Sequence, residues 1–84
     1  MRLIFDKEFL EDLTYWVESD RAVALRVMKL LEDVRRHPFE GLGKPEPLKH
    51  LGGDVWSRRI TQEHRLVYRV TAEGVQLAQC RYHY

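Results

Sequence analysis

The chain has 84 residues, with 14 Lys or Arg against 13 Asp or Glu, a formal net charge of +1 and a single cysteine. That length supports one domain, residues 1–84, and a chain so short buries only about 60 to 65% of the surface its unfolded form exposes, which leaves a thin stability margin that a partner protein could widen. Lone Cys80 excludes an internal disulfide framework, no Cys-rich spacing suggests structural zinc, and the apolar run in Met1-Arg2-Leu3-Ile4-Phe5-Asp6 is far too short for a signal peptide or a membrane span, so a cytosolic setting is the expectation.

Residues 3–5 are an apolar run suited to a short strand, and Asp6 is set to cap the helix behind it. In that helix Phe9, Leu10, Leu13, Trp16 and Val17 recur at steps of three and four, which predicts one apolar face. Ser19-Asp20 breaks the helix and caps a second one of about four turns, where Val23, Val27, Leu30, Leu31 and Val34 keep helical spacing until Arg35-Arg36-His37 and Pro38. Residues 38–54 carry three prolines and four glycines in 17 positions, too many breakers for a regular element. A loop of that length in a small domain is more often functional than a bare connector, and this one carries Glu46 and Lys49. Three strand-like segments follow, residues 55–60, 64–70 and 75–82, and their short spacers predict an antiparallel meander.

Side-chain alternation sends Leu66, Tyr68 and Val70 to one face of the sheet and Arg65, Val67 and Arg69 to the other. By the same parity Trp56 and Ile60 oppose Arg59, while Ala78, Cys80 and Tyr82 oppose Arg81 and His83. The predicted architecture is α+β: a short N-terminal strand, two helices, then a three-stranded antiparallel meander with the helices packed on one sheet face and the other face left for function. Parity allows Arg59, Arg65 and His83 to share that free face, although one sequence does not fix the register between strands.

Residues 1–42 hold seven Lys or Arg and nine Asp or Glu, a balance of −2, whereas residues 43–84 hold seven and four, a balance of +3, together with His50, His64 and His83. A polyanion would meet the second half. Cleaving RNA through its own 2′-hydroxyl requires a base, cations for the charge gathering on phosphate, and an acid for the departing 5′-oxygen; it requires no metal. Glu46, braced by Pro45 and Pro47, is the candidate base, with an ordinary solvated loop carboxylate as the alternative. Arg59 and Arg65 offer planar forks for phosphate oxygens and Lys49 a movable point charge, although arginines on a sheet surface are usually just solvated. His83 is the natural acid, Tyr84 is assigned to stack on an unpaired base, and Tyr82 is assigned inward. No metal or cofactor is expected: Cys80 and His83, three residues apart, fall on opposite faces of a strand, and no second close pair of ligands exists. Ser19 and Ser57 lie in no nucleophile-elbow context.

Four blocks in order are more specific than these single residues: Pro38-Phe39-Glu40-Gly41 with Gly43-Lys44-Pro45-Glu46-Pro47-Leu48-Lys49, then Trp56-Ser57-Arg58-Arg59-Ile60, then Glu63-His64-Arg65-Leu66-Val67-Tyr68, and finally Cys80-Arg81-Tyr82-His83-Tyr84. In these blocks the chain resembles the YoeB/Txe toxins of the RelE/ParE toxin-antitoxin superfamily, over all 84 positions. The resemblance implies a RelE-like fold and a metal-independent endoribonuclease that cuts messenger RNA in the ribosomal A site, stops translation and is silenced by a YefM-like antitoxin. It also implies Glu46 as general base, His83 as general acid and Arg65 as the transition-state cation, with Lys49, Arg59 and Tyr84 binding and orienting the substrate. Operator DNA would be bound only through the antitoxin complex, and homodimer formation is left open. Two other readings stand beside it: a ParE-like toxin that blocks its target by binding alone, and a nucleic-acid-binding regulator without toxicity.

Overall fold

A computed structural model describes residues 1–82 and contains five strands and two helices. The order along the chain is β1 (Leu3–Phe5), α1 (Lys7–Ser19), α2 (Arg21–Arg36), β2 (Glu46–Pro47), a 3-10 turn (Lys49–Leu51), β3 (Val55–Arg59), β4 (Arg65–Thr71) and β5 (Gly74–Gln79). The strands form one sheet in the order β1-β5-β4-β3-β2, in which the β2–β3, β3–β4 and β4–β5 pairs are antiparallel and β1 is parallel to β5. The class is α+β as the pattern predicts, but the sheet is mixed and has five strands, because the N-terminal run joins β5 and part of the presumed loop joins β3.

One residue separates the helices. Asp20 closes α1 by donating its N–H to the Trp16 carbonyl and opens α2 by accepting the Val23 N–H on its side chain. Asp6 stands at the N-cap of α1, but its side chain makes no capping bond and instead accepts from Gln76 Nε2 on β5 at 2.9 Å, tying the helix start to the sheet. The two helices cover one sheet face. Phe9 and Trp16 of α1 and Ala24, Val27, Leu30, Leu31 and Val34 of α2 pack with Ile60, Leu66, Tyr68, Val75, Leu77 and Cys80. Leu10 and Val17, expected on the buried face of α1, are exposed, because the apolar stripe is wider than the surface the sheet offers it.

The other sheet face carries a smaller cluster of Leu48, Val55 and Val67 with Ala78 against it. Leu48 explains why a segment full of breakers still forms a strand. Its side chain is buried, its N–H donates to the Val55 carbonyl, and on the far side the Arg59 N–H donates to the Gly43 carbonyl, so Glu46 and Pro47 are drawn against β3 between two anchors. Pro47 is tolerated because β2 lies at the sheet edge, where a missing N–H leaves no ladder bond unmade.

β5 ends three residues earlier than predicted. Val67 pairs with Gln79 but Tyr68 with Leu77, so Ala78 is an extra residue in a β-bulge. The bulge inverts the parity beyond it: Ala78 faces the smaller cluster while Cys80 is buried in the main core. Tyr82, expected inward, is 54% exposed with φ at +64°.

Candidate functional site

Directly opposed residues in antiparallel strands share a face, so the register alone assembles one side of the sheet. Glu46 pairs with Ser57 and Ser57 with Val67; two residues along, Arg59 pairs with Arg65. Glu46, Ser57, Arg59, Arg65 and Val67 therefore lie on the face away from the helices, with the carboxylate about 7 Å along the strand direction from the arginine pair. Glu46 and Arg59 are exposed and Arg65 is half-buried. Lys49 starts the 3-10 turn two residues beyond β2 and is also exposed. His83 and Tyr84 lie outside the described residues, so the structure brings together Glu46, Arg59 and Arg65, with Lys49 on the adjoining turn.

The arginine pair is electrostatically incomplete. Like charges directly across a sheet are destabilising, and among the described residues no carboxylate pairs with either guanidinium. Arg65 Nε is buried without a hydrogen-bond partner, and so is Ser57 Oγ opposite Glu46. Unsatisfied buried donors are rare enough to call for a ligand or a cost, and an anion lying between the two forks would satisfy both the donor and the charge.

The adjacent Arg58 has the opposite fate. It points with Trp56 and Ile60 to the helix side, is fully buried, and uses all five of its N–H groups. Nε donates to Tyr68 Oη at 3.1 Å, Nη1 to Asp33 Oδ2 at 2.5 Å and the Leu42 carbonyl at 3.2 Å, and Nη2 to the carbonyls of Glu40 at 2.8 Å and His37. Tyr68 Oη passes its own hydrogen to the Pro38 carbonyl at 2.6 Å, and Asp33 Oδ2 also accepts the Leu42 N–H. Burial disfavours the charged form of Asp33, but the Leu42 N–H, the Arg58 hydrogen bond and the Arg58 charge outweigh it and hold the carboxyl below its usual value. This cage fastens residues 37–42, the stretch that leads into β2, to the sheet. Of the adjacent arginines Arg58 and Arg59, only Arg59 faces the site.

The segment approaching the chain end is fastened as closely. Trp16 Nε1 donates to the Cys80 carbonyl at 2.8 Å, Asp12 Oδ2 accepts the Cys80 N–H at 3.0 Å, and the Arg81 guanidinium lies over the Tyr15 ring at 3.5 Å from its centroid. Tyr82 is held by His64 Nδ1 and the Arg65 N–H, which offsets a left-handed conformation costing a non-glycine residue about 1–2 kcal/mol. The sequence carries no signal for His64, Asp12 and Trp16 in this role: helical spacing marks Trp16 only as a core residue, and His64 stands out only as part of the basic half. Burial, reinforced by the Asp12 charge, pushes the Cys80 thiol up to about 12. Among the described residues no three His, Cys, Asp or Glu side chains converge as a metal site.

Two helices on one face of a five-stranded mixed sheet form an arrangement that this chain shares with solved structures of bacterial toxins. The YoeB/ParE toxin from Agrobacterium tumefaciens superposes with a TM-score of 0.92 at 44% identity, each chain covered in full. The toxin in a YoeB-YefM complex from Staphylococcus aureus gives 0.86 at 38% identity, covering 100% of this chain and 98% of that one. In sequence, the toxin YoeB of Escherichia coli K12 is 54% identical over 84 residues, all of both chains, and the family model of the YoeB-like toxin of bacterial type II toxin-antitoxin systems matches residues 5–84. The chain belongs to that family.

Proposed function

We propose that the chain is a ribosome-dependent messenger RNA endoribonuclease that works by acid-base chemistry without metal. Glu46 takes the proton of a ribose 2′-hydroxyl, the 2′-oxygen attacks the adjacent phosphorus, and His83 protonates the departing 5′-oxygen, leaving a cyclic phosphate and a free 5′-hydroxyl. Arg65 bears the charge that grows on the phosphate oxygens, while Lys49 and Arg59 hold the backbone and Tyr84 stacks on a base. The observation that carries this reading is the Arg59–Arg65 pair: two guanidiniums directly opposed without a counter-charge among the described residues, one with a buried unpartnered Nε–H, on the same sheet face as Glu46. The substrate is messenger RNA in the ribosomal A site of the bacterial cytoplasm, with ribosomal RNA as a second contact. The inhibitor is a YefM-like antitoxin, acidic and partly disordered, that folds over the basic half and through which the complex meets operator DNA.

The test is cleavage of messenger RNA on programmed ribosomes. Glu46→Gln and His83→Gln should each lower the rate by about 10² to 10⁴, the span of a lost acid or base. A tag after Tyr84 should abolish cleavage while one before Met1 is tolerated, and excess chelator should leave the rate unchanged with ribosome integrity controlled. If both variants still arrest translation and the RNA stays intact, the chain acts by binding alone. Loss in chelator that zinc alone restores overturns the metal-free mechanism.

A further inference from the structure

Tyr82, the residue before the proposed acid, is held at two points by the start of β4. Its N–H donates to His64 Nδ1 at 2.7 Å and its carbonyl accepts the Arg65 N–H at 3.1 Å. His64 is itself fixed. Its N–H donates to Thr61 Oγ1 at 3.1 Å, its carbonyl accepts from Ile60 and Thr61, and its ring meets the Trp16 ring edge-on at 4.7 Å and the Tyr82 ring at 5.5 Å. A backbone amide only donates, so Nδ1 is the unprotonated nitrogen and the ring hydrogen sits on Nε2, which faces Glu63 Oε1 at 3.6 Å.

We infer that His64 is a positioning residue whose bare Nδ1 fixes Tyr82 beside Arg65, and that protonation of this ring releases it. The anchor stands on its own geometry; its effect on cleavage rests on the reading of His83 as the acid. An imidazolium has two donors and no acceptor, so a second proton sets N–H against N–H. The other ties upstream, Trp16 to the Cys80 carbonyl and Asp12 to the Cys80 N–H, involve no imidazole and hold Cys80 in either state of the ring. The charged and titratable groups around the anchor are Glu63 beside Nε2, Arg65 on β4, Asp12 and Tyr15 on α1, and Arg81 stacked on the Tyr82 ring.

Hydrogen exchange of the Tyr82 amide, normalised to its intrinsic rate and followed on acidification, reads the anchor directly. The Val75 amide, bonded to the Arg2 carbonyl, serves as the folding control. Protection in the parent chain should fall about tenfold on acidification, the size of one lost hydrogen bond. His64→Asn, whose carboxamide oxygen takes the place of Nδ1 and does not titrate, should be protected and flat; His64→Ala should be unprotected throughout. In single-turnover cleavage His64→Ala should lower kcat with KM unchanged, and His64→Asn should restore it. Protection of Tyr82 that persists in His64→Ala overturns the anchor, and protection in the parent chain that ignores acidification up to the loss of the Val75 control overturns the release. An anchor lost in His64→Ala with kcat intact overturns the positioning role. Absence of cleavage in every form counts against the proposed function alone, since exchange still decides the anchor.

Discussion

Adjacent arginines in one strand give a direct test of the buried cage. Arg58→Met keeps most of the side-chain volume but strips Asp33, Tyr68 and the carbonyls of His37, Glu40 and Leu42 of their donor. Removing one partner from a buried ion pair costs about 3–5 kcal/mol. The Asp33 side chain keeps 21% exposure and regains water, which puts the expected cost near the lower end, about 3 kcal/mol. At about 4–8 °C per kcal/mol for a chain of this size, Tm should fall by roughly 12–24 °C. Arg59→Met, one residue along and exposed, should stay within about 0.5 kcal/mol of the parent. Thermal unfolding by circular dichroism at pH 7 measures both, and the double variant Arg58→Met/Asp33→Asn should be less than additive. A fall of under about 4 °C for Arg58→Met, or equal falls for the two arginines, would show that the five-fold cage contributes nothing to the fold.

Three further outcomes are expected. Because the Asp33 carboxyl is held below its ordinary value in the folded chain, its stabilisation is complete above the usual carboxylate range and is lost as pH falls through the depressed value; Tm against pH should show an acid limb that flattens in Asp33→Asn. At Gly41 φ is +116° and an added Cβ would stand 2.1 Å from Asp33 Oδ2, so Gly41→Ala should cost at least about 1 kcal/mol and loosen residues 37–42 to limited proteolysis. The buried Cys80 thiol, pushed up to about 12, should resist alkylation at pH 8 until denaturant is added, with a rate that follows unfolding.

Helices and central strands are legible in the sequence because their periods are long enough to repeat: Val27, Leu30, Leu31 and Val34 mark one face of α2, and Leu66 and Tyr68 mark the core side of β4. Parity also places Arg58 with Trp56 and Ile60 on the core side. What parity lacks is the cage that makes a buried guanidinium tolerable, since its acceptors come from Asp33 and a loop 16 to 21 residues upstream. β2 has two residues and no pattern of its own; it exists because Leu48 is buried and Gly43 bonds Arg59, contacts that only the folded sheet supplies. The bulge at Ala78 has no signal in composition; it separates Ala78 from Cys80, which it turns into the core, whereas the inward assignment of Tyr82 fails because β5 stops at Gln79 and Tyr82 takes a positive φ. Within the site, the shared face of Arg59 and Arg65 follows from alternation, whereas the addition of Glu46 to it depends on the pairing with Ser57.

The sheet keeps its long strands inside and its stubs outside. β3, β4 and β5 run for five to seven residues, but the two borders, β1 and β2, offer three and two, and Pro47 withholds one N–H from the second. A foreign chain seeking to extend the ladder finds too few free amides at either rim to nucleate on. The apolar run Leu66-Val67-Tyr68 in β4, which would invite fibre growth at a margin, is therefore shielded by its position in the sheet, and a cationic face can stay bare for its ligand without the molecule polymerising through its flanks.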